Sequence, residues 1–341
     1  MWTRRSFCSL AAASAFAGAK VRAAVLGTGH AHAYGKIRAL RTLPEFDFVG
    51  VCEPNDEPRT NEVFSGVRWL SIDEILRDDT VKLVAVESRV QYNLDLAERC
   101  VAAGKFVHLD KAPGEDMPRF KRLLDNAAAK GVVVQLGYQW RYQPAMRLAI
   151  DAARQGRLGE IRAVRATINK VIPPVERKQL ALFRGGMMFE LGCHMVDRVV
   201  DVLGAPTGVT AILRKHGPDD LADNCLAVID YPKAVAEVYI AAHQPTGGNH
   251  RTFEIQGTLG TATVTPFSNS RLTIETAKGV DEVKVPPEAK PGYSPDLLEL
   301  AAVVRAERQP SYTAEHDLAT HHTLLRCCGY NLSHKEWQKK F

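Results

Sequence analysis

The sequence has no run of lysines and arginines, no internal repeat and no low-complexity linker. Its formal net charge is only +5, and an aromatic motif of the RNA-binding kind is also missing, so nucleic acid is not an expected partner. The longest apolar stretch, near the N-terminus, is too short to span a bilayer as a permanent helix. Stable membrane insertion is therefore not expected either.

The seven cysteines are irregularly spaced, and none belongs to a C-x-x-C pair. Several lie in apolar patterns, where a thiol behaves as a small buried hydrophobe, and a disulfide framework is not expected in domains of this size. His321 and His322 stand near Cys327 and Cys328, but adjacent residues of a helix point in different directions and do not close one ligand shell. The sequence therefore predicts no metal site.

Residues 1–19 have the composition of an export signal. The pair Arg4-Arg5 is followed by a short apolar stretch that ends in small residues, which is the pattern of a twin-arginine secretory signal. Cys8 stands where that motif usually has leucine. We expect the protein to be exported or periplasmic, with a cytoplasmic protein as the alternative.

The rest of the chain is long enough for two domains, and 45% hydrophobic with 24% charged residues is typical of a globular fold. Over residues 20–140, short apolar runs alternate with helical patterns that end at Gly104 and Gly131. Strands are predicted at 21–26, 48–52, 81–86, 106–109 and 132–136, and helices at 31–43, 72–77, 93–103 and 118–130. This alternation predicts an α/β domain with a parallel sheet.

Over residues 141–341 the pattern changes, because strand-like runs follow one another with glycine and proline between them. Helices are predicted at 144–155, 187–203, 295–307 and 314–329, and strands at 161–168, 209–213, 224–231, 234–242, 251–256, 261–265 and 271–275. Such a succession of strands and turns predicts an α+β domain with a large, mostly antiparallel open sheet.

A glycine-rich turn follows the first strand and opens the first helix, with the sequence Gly27-Thr28-Gly29-His30. Gly27 permits a tight turn, and Gly29 lets the backbone approach a pyrophosphate. The helix that follows offers free N–H groups and a partial positive charge to the phosphates. Strand, turn and helix in this order predict a dinucleotide-binding Rossmann domain, with these four residues at the cofactor.

Glu53 ends the second predicted strand, where such domains carry an acidic residue. A carboxylate there can accept hydrogen bonds from the ribose hydroxyls of NAD, and it would repel the 2′-phosphate of NADP. The alternative is that Glu53 only caps a turn before Pro54. The sequence favours NAD as the cofactor over NADP.

Three later segments resemble motifs of the Gfo/Idh/MocA family (glucose–fructose oxidoreductase, inositol dehydrogenase), in that family's order and spacing. They are HLDKAP at 108–113, which resembles Glu-Lys-Pro; GYQWRYQP at 137–144, which resembles G-x-x-x-R-x-x-P; and GGMMFELGCHMVD at 185–197, which resembles G-G-x-x-x-D-x-G-x-H-x-x-D. The resemblance covers residues 21–331, nearly the whole chain after the export signal. It places the second domain, with substrate and oligomer contacts, at 141–341.

The resemblance implies that Lys111, Glu190 and His194 are catalytic. The chemistry agrees, since oxidation of an alcohol needs a base for the hydroxyl proton, and a lysine can polarise the oxygen. Glu190 and His194 are four residues apart, hence on one face of an α-helix. The resemblance further implies cofactor contacts from Ser88, Asn93, Asp110, Lys111 and Gln139, and substrate contacts from Lys111, Arg141 and His194. It also implies a homodimer or homotetramer.

The sequence departs from the family pattern at several of these positions. Glu190 replaces the usual aspartate, and Arg89 and Asn93 replace a proline and a histidine. Ala112 follows Lys111 where the family has proline, so a cis peptide bond is not expected there, because it would cost about 3 kcal/mol. Asp197 lies nearly a turn beyond His194 and is expected to be structural.

The leading function is hydride transfer between NAD and a sugar, a cyclitol or a related polyol. Two alternatives stay open. The first is an exported glycosidase that retains its NAD and oxidises C3 of its substrate transiently, as some relatives do. The second, suggested by the departures from the family pattern, is a non-catalytic dinucleotide-binding paralogue.

Overall fold

The computed structural model describes residues 18–244, 250–265, 271–289 and 292–333. The predicted export signal, except for its last two residues, lies outside the described residues. No helix in the described part of the chain combines the length and the apolar character needed to cross a membrane.

The chain forms two compact units. The N-terminal unit contains the residues up to Gly137 together with Ala289–Thr313, and the C-terminal unit contains Tyr138–Glu288 and the chain from Ala314 onwards. In chain order the helices are α1 (His32–Thr42), α2 (Ile72–Arg77), α3 (Val90–Ala102), α4 (Met117–Ala129), α5 (Pro144–Arg154), α6 (Pro174–Leu180), α7 (Cys193–Leu203), α8 (Ser294–Val304) and α9 (Ala314–Cys327).

The N-terminal unit is the predicted α/β Rossmann-type domain. Its strands are β1 (Val21–Leu26), β2 (Phe46–Cys52), β3 (Leu83–Val86), β4 (Phe106–Leu109) and β5 (Val134–Leu136). All of them pair in parallel, in the order β2-β1-β3-β4-β5. Strands in the middle of such a sheet are covered on both faces, which explains why β3 is a continuous apolar run and β1 is apolar apart from Arg22.

The C-terminal unit contains the predicted large, mostly antiparallel sheet. Its strands are β6 (Ile161–Asn169), β7 (Gly208–Arg214), β8 (Asn224–Asp230), β9 (Val235–Ala241), β10 (His250–Gly257), β11 (Gly260–Thr265), β12 (Arg271–Thr276) and β13 (Gly279–Val283). The order is β13-β12-β11-β10-β6-β9-β8-β7, and among the described strands of this second sheet only β6 and β9 pair in parallel. Helix α6 and strand β13 were not predicted from the sequence.

One face of this sheet carries the core of the C-terminal unit. Alternate residues of β8 and β9 are buried, as expected for a strand with one covered face. Helices α5, α7 and α9 contact this sheet, α5 along β10 to β12 and α9 at β7 and β8. Several cysteines were predicted to be buried, and all six in the described part of the chain are. Burial raises the pKa of Cys52 to about 11.

Residues 289–313 belong to the N-terminal unit, whereas the sequence analysis placed them in the second domain. The reason is the apolar face of α8, where Leu297 and Leu300 are fully buried in the same core as residues of β1 and α1. Asp296 of α8 adds a buried ion pair with Lys36 of α1. The strand and helix pattern alone does not show to which core a helix returns.

Candidate active site

The glycine-rich turn has the conformation that the sequence predicts. Gly27 has φ of +88°, and its N–H donates to the carbonyl of Cys52 at 2.8 Å. A Cβ at Gly27 would lie 2.5 Å from Cβ of Ser88. Position 27 therefore accepts only glycine, because its φ is positive and because its backbone lies so close to Ser88.

Replacing Gly27 with alanine is expected to cost several kcal/mol of stability, because it adds a steric clash to an unfavourable φ. Gly131 is a matched control, since it also has a positive φ of +67° but nothing within 4 Å of its Cβ position. Alanine there should cost only about 1–2 kcal/mol. Denaturant unfolding of both variants measures the difference, and equal losses would contradict the role given to Ser88.

Glu53 is held against this turn. Its Oε2 accepts hydrogen bonds from the backbone N–H of Thr28 at 2.5 Å and from the Thr28 hydroxyl at 2.8 Å. Its Oε1 accepts from the N–H of Asn55 at 2.6 Å. The carboxylate is thus buried and fixed beside the turn, as expected for a residue that receives the ribose hydroxyls of a dinucleotide. Turn and carboxylate together fit a dinucleotide cofactor.

Arg89, which departs from the family pattern, lies beside the second glycine of the turn. A Cβ at Gly29 would be 2.7 Å from Cγ of Arg89. The guanidinium of Arg89 forms an ion pair with Glu57, which raises the pKa of Arg89 through their hydrogen bond. The structure therefore places a permanent positive charge near the predicted position of the pyrophosphate, where the sequence analysis had only noted the loss of a proline.

Lys111 lies in a buried segment, and the peptide bond between Lys111 and Ala112 is cis. The expectation of a trans bond was wrong. The amide group of Asn93 is within hydrogen-bond reach of the carbonyls of Asp110 and Ala112, at 3.3 and 3.5 Å. These two carbonyls precede and follow the cis bond in the chain. Ser88 in turn donates to Oδ1 of Asn93 at 2.9 Å.

Ser88 and Asn93 therefore position the segment that carries Lys111. Both side chains are buried in the protein itself. Their predicted contacts with the cofactor stay predictions. The substitution of asparagine for the family's histidine at position 93 has a structural reason, since an amide can donate to two neighbouring carbonyls at once.

Two histidines of the glycine-rich segment converge on one buried carboxylate, that of Asp110. Nδ1 of His30 lies 2.5 Å from its Oδ2, and Nδ1 of His32 lies 3.0 Å from its Oδ1. With Glu87 they form a group whose donor atoms lie within 4.8 Å of one another, close enough to share a cation. Burial lowers the pKa of His32, which favours its neutral form. His30 and Asp110 are predicted at the cofactor from the sequence, whereas His32 is not.

A second buried polar group shares Glu87 with this one. His108 is 3.1 Å from Glu87 through Nδ1 and 3.0 Å from Asp296 through Nε2, and Lys36 donates to the same oxygen of Asp296. Burial opposes the charge on His108, but its hydrogen bonds to Asp296 and Glu87 outweigh burial and raise its pKa. These residues were not predicted as a group because Asp296 comes from α8, far along the chain.

In the C-terminal unit, the segment of the third motif is not a continuous α-helix. Met188–Gly192, which includes Glu190, is π-helical, and α7 begins at Cys193. The predicted spacing of Glu190 and His194 on one α-helical face is therefore replaced by an i→i+5 turn, a feature often found at functional sites. Gly192 packs closely against this turn, since a Cβ there would be 2.5 Å from Sδ of Met188.

His194 is buried in the first turn of α7. Its ring stacks on Trp140 with centroids 4.6 Å apart and an interplanar angle of 25°. Tyr138 meets the same ring edge-on at 6.1 Å. The predicted residues Gln139 and Arg141 lie in the same short helical turn as Trp140, Gln139–Tyr142. Tyr138 and Trp140 of the second motif thus pack against the imidazole of His194 in the third motif and restrict its orientation.

Arg141 is buried and ion-paired inside the C-terminal unit. Its Nη2 lies 2.7 Å from Oδ1 of Asp197 and 2.5 Å from Oδ1 of Asp317. Burial raises the pKa of Asp197, but Arg141 and Arg198 outweigh burial and hold it well below its usual range. Asp197 is structural, as expected. These ion pairs account for Arg141 without a substrate, and its predicted substrate contact stays a prediction.

Comparison with known families gives the class of this chain. Residues 21–138 match the family described as "Oxidoreductase family, NAD-binding Rossmann fold", and residues 146–263 match the "GFO/IDH/MocA C-terminal domain". It is an oxidoreductase-type protein with a nicotinamide-binding Rossmann domain. The chain belongs to the Gfo/Idh/MocA family, as its three motifs suggested.

Among curated relatives, the uncharacterized oxidoreductase YhhX of Escherichia coli is 29% identical over 51% of this chain and 55% of its own length. Bovine trans-1,2-dihydrobenzene-1,2-diol dehydrogenase is 24% identical over 56% of this chain and 57% of its own. The scyllo-inositol 2-dehydrogenase (NADP(+)) IolW of Bacillus subtilis is 22% identical over 67% and 64%. In each case the match spans less than two thirds of the relative.

Solved structures show the same fold over most of the chain. The crystal structure of YhhX superposes with a TM-score of 0.78 at 21% identity, covering 91% of this chain and 97% of that one. The structure of GenD2 from gentamicin A biosynthesis, in complex with NAD, gives a TM-score of 0.76 at 24% identity, covering 91% and 94%.

Proposed function

We propose that this protein transfers hydride between NAD and an alcohol carbon of a sugar, a cyclitol or a related polyol. The observation that carries the proposal is the Glu53 carboxylate, buried and hydrogen-bonded to Thr28 at a glycine turn of the dinucleotide-binding type. Two relatives named as dehydrogenases act on a dihydrobenzenediol and on scyllo-inositol, which are both cyclic alcohols with neighbouring hydroxyl groups. This supports a polyol substrate.

The proposed roles follow from the chemistry of the side chains. NAD, when bound, accepts the hydride. Lys111 polarises the substrate oxygen, and the imidazole of His194 takes up the hydroxyl proton, which suits a group that titrates near neutral pH. Trp140 holds the His194 ring in orientation by stacking on it. Glu190, in the π-helical turn before α7, serves in proton transfer with His194.

The Gln139 side chain and the main chain around Gly29 complete the proposed cofactor contacts. Arg89 binds a pyrophosphate oxygen in place of the Glu57 carboxylate that it contacts now. The planar guanidinium suits carboxylate and phosphate oxygens equally. NAD is the proposed cofactor rather than NADP, because the fixed charge of Glu53 would meet the additional phosphate of NADP.

The test of cofactor choice is Glu53→Gln, which keeps the size and an acceptor oxygen but removes the charge. We expect wild-type protein to bind NAD more tightly than NADP. In the variant the ratio of the two dissociation constants should fall roughly tenfold or more, because like charges about 4 Å apart near a surface repel by a few kcal/mol. Calorimetric titration with both cofactors measures the ratio.

Asp47→Asn is the matched control, since Asp47 is an exposed carboxylate of β2, the strand that precedes Glu53, and its partner is Arg22. Its dissociation constants should equal those of the wild type. Tighter binding of NADP than of NAD by the wild type, or an unchanged ratio in Glu53→Gln, would refute the role given to Glu53. Failure of the wild type to bind either cofactor would refute the proposed function as a whole.

A further inference from the structure

Two histidines and one aspartate meet at one end of the sheet of the C-terminal unit. They are His216, Asp223 and His243, and the motif analysis assigned no role to any of them. Their donor atoms, one from each side chain, all lie within 4.8 Å of one another. Two imidazoles and one carboxylate are a common ligand set for divalent transition metals in proteins.

The sheet brings these residues together from three separate parts of the chain. His216 follows the end of β7, Asp223 directly precedes β8, and His243 follows the end of β9. Because β8 lies between β7 and β9 and is antiparallel to both, these three strand ends lie side by side at the same end of the sheet.

Backbone hydrogen bonds fix Asp223 between its two neighbours. Its N–H donates to the carbonyl of Arg214 at 3.0 Å, and its carbonyl accepts from the N–H of Ala242 at 2.8 Å. The group therefore rests on regular strand ends rather than on one flexible loop. A site built this way needs little ordering when an ion binds.

Two of the donor–donor distances within the group match those of a coordination shell. Nδ1 of His216 and Nε2 of His243 lie 3.0 and 3.4 Å from the same oxygen, Oδ1 of Asp223. Metal bonds of about 2.0–2.1 Å at angles between those of octahedral and tetrahedral geometry place donor atoms about 2.9–3.4 Å apart. The two imidazole planes are nearly perpendicular, at 83°, so the rings do not stack and both edges face the carboxylate.

The second oxygen of Asp223 is occupied in a way that orients the first. Nη2 of Arg177 lies 3.0 Å from Oδ2, and the same guanidinium pairs with Asp219. Such outer partners position a ligating carboxylate in known metal sites.

We propose that His216, Asp223 and His243 bind one divalent transition-metal ion of the zinc type, through Nδ1, Oδ1 and Nε2. Both histidine side chains are about half exposed, 53% and 43%, so the remaining coordination positions open to solvent. The site is independent of the proposed hydride transfer. Without a metal, both rings must instead donate an N–H to one carboxylate oxygen, and experiment separates the two cases.

The experiment is a titration of Zn²⁺ into cofactor-free full-length protein that carries no polyhistidine tag, followed by calorimetry. Wild-type protein is expected to bind one zinc ion more per chain than the double variant H216A/H243A, with micromolar or tighter affinity. The single variant His243→Ala should weaken this site by about 100-fold or more, since loss of even an outer partner costs about 10–100-fold.

The thermal midpoint should rise with added Zn²⁺ in the wild type and rise less in the double variant, because an ion that binds only the folded state stabilises it. Since both histidines are half exposed, the variants should keep their far-UV circular dichroism. His250→Ala is the matched control, an exposed histidine of β10 outside the group. The proposal is overturned if the wild type binds no zinc in this range, or if H216A/H243A keeps the stoichiometry and affinity of the wild type.

Discussion

Replacement of Lys111 with methionine should lower kcat for the polyol substrate by about 10²–10⁴-fold, the usual effect of losing a group that assists proton transfer. Methionine keeps the length and burial of the side chain and removes its charge. His194→Gln should give a loss of the same order. Turnover is followed by nicotinamide absorbance with a panel of inositols, sugars and cyclic diols, and cofactor affinity is measured beside it.

Lys105→Met is the matched control for Lys111→Met. Lys105 is another buried lysine of the N-terminal unit, and it donates to a backbone carbonyl, that of Asp78, at 2.7 Å. Its variant should keep wild-type kcat even if stability falls. The proposed roles fail if Lys111→Met and His194→Gln retain full turnover. Wild-type protein that binds NAD but converts no member of the panel would favour a non-catalytic paralogue.

Arg141→Met is expected to destabilise the protein by about 3–5 kcal/mol, because it removes a buried countercharge that Asp197 and Asp317 share. Asp197 keeps its ion pair with Arg198, so most of the loss falls on Asp317. Arg141→Lys should fall between wild type and Arg141→Met, since it keeps the charge but loses the planar fork that reaches both partners. The free energy of unfolding in denaturant measures both changes.

The surface pair Arg165–Glu254 supplies the control. Both side chains are substantially exposed, 50% and 31%, so Arg165→Met should cost no more than about 1 kcal/mol. Unfolding in denaturant, with KM measured on the same variants, separates the two interpretations of Arg141. A variant with wild-type stability but a raised KM would support the substrate contact implied by the family motif and contradict the structural role that the ion pairs indicate.

The architecture could be predicted from the sequence where local signals are strong. The alternating pattern of the first domain was defined by the apolar runs of β1 and β3 and by the glycines that end α3 and α4. The second sheet was predicted from strand-like runs that follow one another with glycine and proline between them. Strand β13 was missed because its residues are mostly exposed and polar, with no apolar alternation. Helix α6 was missed because it begins with prolines and has one buried residue among the seven it contains.

Parts of the site could not be predicted, because they depend on long-range contacts. Asp296 reaches Lys36 and His108 only through the return of α8 to the first core. His216 and His243 lie 27 positions apart, and the order of strands in the sheet alone makes them neighbours. Residue spacing alone predicts an ordinary α-helix at Glu190 and does not show the π-helical turn that the structure has there.

The return of α8 has a consequence for synthesis. Translation proceeds from the N-terminus, so the ribosome makes every strand of the second sheet before the first unit receives its last helix. Until then Lys36 lacks its carboxylate partner, and the core of β1 and α1 lacks Leu297 and Leu300. The nucleotide-binding unit, although encoded first, is thus completed late, after most of the nascent chain has left the exit tunnel.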